Sequence, residues 1–356
     1  MNSVQVKLGN RSYHIYVQTG LTSLIPSMLS GHNHGQKWVI ITQYNLMELF
    51  GFNLMTQLKE AKFNIEFITL PVGEAAKSIN EFSRIMSQMV ELGCDRSTTI
   101  LALGGGVVGD VAGFAASAFM RGIDYFQIPT TLLAMVDSSI GGKTGINIAE
   151  GKNLVGAIYQ PKAVFIDPAI LGSLPKEEVI AGLGEVIKYG AILDHDFFNQ
   201  ISLWLENIES FPFEEAIVKS CKIKAAVVSK DEHEGDLRRI LNFGHTIAHA
   251  LESHLGYGKI RHGEAVAFGM KCAGFISQKL NLLSKKDHSI LIKTINRLPL
   301  PKLPHINGKH LMPFIKTDKK SAKGILSFVV LNGLGKAMTS MDVTEELIQE
   351  SLKELN

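Results

Sequence analysis

Cysteine is scarce. The 356 residues hold three, Cys94, Cys221 and Cys272, and no CxxC pair. An odd, scattered set excludes a disulfide framework and points to a reducing, cytoplasmic setting. Excess charge is missing too. Lys and Arg number 36 against 34 Asp and Glu, a net charge of +2, which argues against nucleic acid as a partner and leaves room for a small anion held by local basic residues. Long apolar runs are absent. The longest, near Val111 to Met120, is too short to span a bilayer, so no membrane association is expected, and MNSVQVKLGN has no apolar signal core. There is no internal repeat and no low-complexity tract.

What is present is the ordinary stock of a globular chain, 46% hydrophobic and 20% charged, at a length that suggests two domains. Val4–Leu8 and Tyr13–Val17 alternate around Gly9-Asn10 and read as a hairpin. Trp38–Thr42, Phe63–Thr69, Ile100–Leu103, Tyr125–Ile128 and Val164–Ile166 read as strands, with helices at Leu46–Lys62 and Ile79–Leu92. Apolar strands alternating with helices indicate a Rossmann-like α/β domain with a mostly parallel sheet, residues 1–172. Beyond it, Lys176–Leu193, Pro212–Ser229, Leu237–Leu255 and Glu264–Leu282 carry helical spacing, and strand-like runs are nearly absent until Ile325–Leu331. Residues 173–356 therefore read as a mostly α-helical domain.

The densest signal is Thr99 to Asn147. A short apolar strand runs into Gly104, Gly105, Gly106 and Gly109, then into a small-residue helix, Val111–Phe119. Strand, glycine turn and helix let backbone N–H groups approach a phosphate. The letters Gly104-x-Gly106-x-x-Gly109 match the dinucleotide fingerprint. The position does not, because several strands come first. Further on, DSSIGGKTGIN (Asp137–Asn147) and GKNLVG (Gly151–Gly156) each place a lysine directly after glycine. Asp137 stands where a Walker A loop needs its first glycine, so ATP hydrolysis by that motif is not expected. Lys143 and Lys152 read either as anion contacts in glycine-rich loops or as solvated loop lysines.

In the second half His245 and His249 lie four apart in GHTIAHA, His262 follows in RHGEAVAFGM, and Glu185 sits in GLGEVIKYG with Lys188 one turn on. Imidazoles plus one carboxylate are the donor set of a catalytic zinc site. Thr246 replaces the glutamate of HExxH, which argues against metalloprotease chemistry. Spacing alone names His245 and His249 as the ligand pair; the alternative is core or capping histidines satisfied by their neighbours. Arg238, Asn242, His245 and His249 are spaced by four, three and four and fall on one stripe of a Leu237–Leu255 helix. That stripe is either a polar seam or a solvated face. Lys319 and Lys320 in TDKKSAKG read as a solvated basic loop, His32 and His34 as an exposed turn, and Cys221 and Cys272 as small buried hydrophobes.

The runs GGGVVGDVAGFAASAFMRGIDYFQIPTTLLAMVDSSIGGKTGIN, GKNLVGAIYQP, GLGEVIKYG, KDEHEGDLRRILNFGHTIAHALE and RHGEAVAFGM, in this order, closely resemble the 3-dehydroquinate synthases. The resemblance runs from about Val39 to Leu331. It implies an NAD-binding α/β domain and a helical metal-binding domain with the active site between them, usually in a homodimer. It implies metal ligands at Glu185, His245 and His262, the metal being zinc or cobalt, and a substrate role for His249. NAD contacts fall on Gly73, Glu74, Lys77, Gly105, Gly106, Asp110, Thr130, Thr131, Lys143 and Lys152. Sugar phosphate contacts fall on Arg121, Asp137, Lys143, Asn153, Lys188, Lys224, Glu234, Arg238, Asn242 and His249, with one of Lys319 and Lys320 at the phosphate. Two departures stand out. Val72 is inserted before Gly73, and Gln43 replaces an acidic residue expected at a ribose, where Asn45 is a substitute. The implied reaction converts 3-deoxy-D-arabino-heptulosonate 7-phosphate to 3-dehydroquinate and phosphate, with no net redox change. The alternatives are a related cyclase such as 2-deoxy-scyllo-inosose synthase, a metal-containing NAD-dependent polyol dehydrogenase, or a non-catalytic binding protein.

Overall fold

Both sides of the strands are apolar, and both are used. The computed structural model describes residues 1–32, 36–256, 258–306, 308–318 and 327–355. Its chain divides into two compact units, Met1–Leu174 with Lys224–Ser229, and Pro175–Ile223 with Lys230–Asn356.

The first unit is built on a seven-stranded sheet ordered β1-β2-β9-β6-β5-β3-β4. The strands are β1 (Asn2–Val6), β2 (Tyr13–Val17), β3 (Lys37–Gln43), β4 (Asn64–Leu70), β5 (Thr99–Gly104), β6 (Tyr125–Pro129) and β9 (Ala163–Ile166). Only the β1–β2 pair is antiparallel; the other five pairings are parallel. Alternate residues of one strand face opposite layers. Val39 and Ile41 pack with Ile85, Met89, Val108 and Val111 on one side. Trp38 and Ile40 pack with Leu21, Ile25, Leu54 and Leu58 on the other. The residues of the first layer come from α4 (Ile79–Glu91) and α5 (Gly106–Ala118). Those of the second come from a 3-10 turn (Leu21–Leu24) that runs into α1 (Ile25–Met28), and from α3 (Phe52–Glu60), the latter preceded by the short α2 (Tyr44–Leu46). Covering both faces is what a parallel sheet requires.

From β3 the chain goes outward to β4, then returns to β5 on the opposite side of β3. This reversal is a topological switch point, and ligands of open α/β sheets bind at the strand ends beside it. Gln43 closes β3 and Gly104 closes β5. The glycine turn is thus well placed although it is not on the first strand.

Two local expectations are overturned in this unit. The small-residue helix begins at Gly106, five residues earlier than the apolar run suggested, so the glycines form its first turn. Lys143 and Lys152 are not in loops. They lie on an antiparallel hairpin, β7 (Lys143–Ile148) and β8 (Gly151–Ile158). Gly145 and Gly156 pair across it so closely that a Cβ on Gly156 would lie 2.0 Å from the Thr144 carbonyl oxygen. Glycine here serves the close approach of two strands, a use that propensity reads as a loop.

The second unit is mostly helical: α6 (Lys176–Leu193), α7 (His195–Trp204), α8 (Phe213–Lys230, shared with the first unit), α9 (His245–Leu255), α10 (His262–Lys279), α11 (Lys285–Ile295), α12 (Gly308–Asp318) and α13 (Glu345–Ser351). A small hairpin joins them, β10 (Phe328–Leu331) with β11 (Ala337–Ser340). Among the described residues no helix is long and apolar enough to cross a membrane. In α6 every residue from Ala181 to Ile192 is buried, including Glu185 and Lys188. The single Leu237–Leu255 helix does not form. A 3-10 turn, Leu237–Asn242, is separated from α9 by Phe243 and Gly244. Gly244 has φ +81°, and a Cβ there would meet Val266 O at 2.9 Å and Met270 N at 2.8 Å in α10. The break lets α9 and α10 approach, and it dissolves the four-residue stripe into two separately positioned pairs.

Candidate functional site

Three glycines bring one carboxylate and two imidazoles together. Gly184 precedes Glu185, Gly244 precedes His245, and Gly263 follows His262. A Cβ on Gly184 would stand 2.3 Å from Gly263 O, and one on Gly269 would stand 2.0 Å from Gly244 O. Helices α6, α9 and α10 therefore touch at backbone distance where these side chains emerge. His245 Nε2 lies 3.6 Å and His262 Nε2 3.8 Å from Glu185 Oε1. The three donor atoms are mutually within 4.8 Å.

The cluster has the chemistry of a cation site. Glu185 is fully buried, and neither carboxylate oxygen has a properly formed hydrogen bond. Lys188 Nζ lies against Oε2 as its ion-pair partner. A buried carboxylate without hydrogen bonds is costly, and a metal would satisfy it. Burial, then the charges of Lys188, His262 and His249, hold the His245 imidazole well below its usual range, so it stays neutral and able to ligate. Its Nδ1 faces Phe243 O at 3.2 Å, leaving Nε2 toward Glu185. A second group, His249, Glu252 and His262, also lies within 4.8 Å, and His262 Nδ1 is 3.1 Å from Glu252 Oε2. Helix α10 starts at His262 because Glu264 accepts the Arg261 N–H at 2.9 Å, fixing the first turn.

Nearby in sequence, an acidic loop organises Arg238 and Asn242. Asp231 accepts the N–H groups of Gly235, Asp236 and Arg238 at 2.8, 2.8 and 3.0 Å. Those bonds, Arg238's foremost, hold its carboxyl down at about 2. Glu234 sits at φ +59° and accepts from Asn242 Nδ2 at 2.6 Å. Arg238 is buried and donates to Glu232 O at 2.6 Å.

In the first unit, Gly105 caps α5 and Gly106 opens it, with N–H groups directed past the end of β5. A Cβ on Gly105 would press on Thr131 at 3.1 Å, and one on Gly106 on Ser138 at 2.9 Å. Thr130 N donates to Gly104 O at 3.0 Å. Beside this turn the buried Lys77 ammonium binds Asp110 Oδ2 at 2.6 Å and also meets Asn153 Oδ1. Burial raises the Asp110 carboxyl above its ordinary value, and Lys77 opposes the rise. Asn153 has φ +54°, and its N–H donates to Asn147 Oδ1 at 2.9 Å. Lys152 is paired with Glu74 at 3.5 Å. Lys224, also buried, grips Asp137 through Oδ1 at 2.6 Å and its carbonyl at 2.7 Å. Lys143 opens β7 and is exposed. Arg121 is exposed, at φ +69°, and no hydrogen bond or ion pair among the described residues joins it to Lys77, Asp110 or Asn153. Lys319 and Lys320 lie outside the described residues.

Sequence reasoning passed over Glu252 and Asp231. Glu252 was legible: it is seven residues after His245 and shares its helix face. Asp231 gave no such signal, because its partners are backbone N–H groups.

The comparisons with known proteins agree over nearly the whole chain. The family described as 3-dehydroquinate synthase N-terminal matches residues 67–181, and 3-dehydroquinate synthase C-terminal matches residues 182–321. The 3-dehydroquinate synthase of Thermoanaerobacter pseudethanolicus is 41% identical, covering 98% of this chain and 99% of its own. That of Azotobacter vinelandii is 43% identical over 99% and 96%. Among solved structures, a 2-deoxy-scyllo-inosose synthase complexed with carbaglucose-6-phosphate, NAD+ and Co2+ superposes with a TM-score of 0.89 at 28% identity, covering 99% of this chain and 100% of that one. The chain belongs to the 3-dehydroquinate synthase family.

Proposed function

We propose that this chain converts 3-deoxy-D-arabino-heptulosonate 7-phosphate to 3-dehydroquinate and inorganic phosphate, acting as a carbon–oxygen lyase. The observation that carries the reading is the convergence of Glu185, His245 and His262 around one fully buried carboxylate, in a chain of this family. When bound, NAD accepts and then returns the C5 hydride, and a divalent metal, zinc or cobalt, polarises the substrate hydroxyls.

Glu185, His245 and His262 hold the metal: one anionic and two neutral donors suit zinc. Residues 1–172 bind NAD. The first turn of α5 at Gly105 and Gly106 receives the pyrophosphate, with Thr130, Thr131, Glu74, Lys77, Asp110 and Lys152 around it. Residues 173–356 carry the metal and much of the substrate site. Oxidation at C5 acidifies the neighbouring C–H, because the carbanion delocalises into the carbonyl. Phosphate then leaves by β-elimination, its own oxygens assisting proton removal, and ring opening and an aldol closure follow. The substrate has a carboxylate at one end and a phosphate at the other. Lys143, Lys188, Lys224, Arg238 and Arg121, with Asp137, Asn153, Glu234, Asn242 and His249, clamp and orient it. Lys188, Lys224 and Arg238 are already buried, and their acidic or carbonyl partners fix them in place before substrate arrives. One of Lys319 and Lys320 adds a phosphate contact. We read the protein as a cytoplasmic homodimer; light scattering tests the dimer.

Phosphate release is the deciding assay. Turnover is expected with the heptulosonate phosphate, needs NAD, is lost to a chelator and returns with zinc or cobalt. Turnover with glucose 6-phosphate alone would favour the second reading, 2-deoxy-scyllo-inosose synthesis, which the structural likeness supports. Net NADH accumulation would indicate a polyol dehydrogenase.

A further inference from the structure

We propose that Glu252 is a positioning residue of the metal centre, which it serves by holding the ring of His262. The inference rests on the metal reading above. An ionised carboxylate only accepts hydrogen bonds, so the 3.1 Å contact between Glu252 Oε2 and His262 Nδ1 places a proton on Nδ1. That leaves the lone pair on Nε2, the nitrogen that faces Glu185 at 3.8 Å. A ligating histidine is oriented in this way when its other ring nitrogen donates to a carboxylate, and the added electron density strengthens the donor. The other imidazole is held differently, by the carbonyl oxygen of Phe243 at its Nδ1. The two ligands therefore have unequal support, one anionic and one neutral.

The burial fits this role. The Glu252 side chain is 12% exposed and that of His262 29%. His262 opens α10, where its ring lies edge-on to that of His245 at 5.1 Å and stacks on that of His249 at 5.9 Å. Glu252 reaches it from α9, on the face that also carries His245 and His249.

The test is zinc affinity of the metal-free protein, measured by competition with a chromophoric chelator, together with the visible spectrum of the Co2+-loaded form. Glu252→Ala is expected to weaken zinc about 10–100-fold and to change the Co2+ spectrum, while NAD affinity and the melting temperature of the metal-free protein stay at wild-type values. Glu252→Gln, whose amide oxygen still accepts the Nδ1 proton, should fall between. Glu252→Asp, one methylene short of the contact, should lose at least tenfold and decides the matter if the alanine variant does not fold. Wild-type zinc affinity in both the Ala and Asp variants, with His262→Ala unable to bind zinc, overturns the role of Glu252 alone. Zinc retained by His262→Ala overturns the ligand reading. Zinc lost in His249→Ala assigns the ion to the other group and overturns the proposal.

Discussion

Gly184 and Gly263 stand backbone to backbone where α6 and α10 cross. A Cβ on Gly263 would lie 1.8 Å from the carbonyl oxygen of Ala181, and one on Gly184 2.3 Å from that of Gly263. Each glycine is the chain neighbour of a proposed metal ligand, Glu185 or His262, so the separation of the two helices sets the separation of the two donors. Gly263→Ala is expected to force the helices apart, destabilising the fold by about 1–3 kcal/mol as overpacking does, and to weaken zinc strongly. Thermal melting with and without zinc checks it: the stabilisation that zinc confers should shrink in the variant, because the ligand spacing is lost along with the packing.

His245→Ala should bind no zinc. His249→Ala should keep zinc and lose activity. His249 is paired by geometry with Glu252 and His262 rather than with Glu185, and its ring lies 5.6 Å from that of His245. Metal content by atomic absorption, read beside phosphate release, separates the two variants. Equal metal loss in both would reverse the assignment.

Lys77 is the cation of the first unit's polar cluster. Lys77→Met would deprive the half-buried Asp110 of the ammonium that most opposes the rise of its carboxyl. A carboxyl whose folded value is raised makes the fold less stable as pH climbs from the unfolded value, about 4, through the folded one. The variant should therefore differ least from wild type near pH 4 and most near pH 7. Urea melts across that range test the sign. NAD affinity at neutral pH should fall at least tenfold by calorimetry.

How much of this was readable from residues alone depended on what kind of interaction each feature uses. The sheet strands, the hairpin at Gly9 and helix α6 were legible, because apolar periodicity reports burial directly. The split at Gly244 was not. The pattern from Leu237 to Leu255 stays apolar at helical spacing through the break, and only the carbonyl oxygen of Val266 in another helix makes a left-handed glycine necessary there. The β7–β8 hairpin was hidden for the same reason, since Gly145 and Gly156 look like loop residues until their partner strand is known. Spacing paired His245 with His249, four residues apart on one helix face. The resemblance paired His245 with His262, seventeen residues on, and the structure brings that pair together around Glu185. Long-range convergence of this kind leaves no periodic trace.

Asp231 offers the last test, and it concerns a residue that touches no proposed ligand. Its carboxylate gathers three backbone N–H groups, from Gly235, Asp236 and Arg238, and so fixes the turn that presents Glu234, Arg238 and Asn242. Because those bonds favour the charged form, the carboxyl is held at about 2 against an ordinary 3.8. A depressed value of this kind stabilises the fold above the unfolded value and is lost as pH falls toward the folded one. The stability gap between wild type and Asp231→Asn should hence be constant above about pH 5 and close between pH 4 and pH 2. At neutral pH the asparagine still accepts through one oxygen but offers its amide where the other N–H groups point. The turn should loosen, and the KM for the sugar phosphate should rise several-fold while zinc affinity stays unchanged. A rise in KM with a parallel loss of zinc would mean that the turn supports the metal helices instead. An unchanged KM would mean that Arg238 and Asn242 are held by packing and need no help from Asp231.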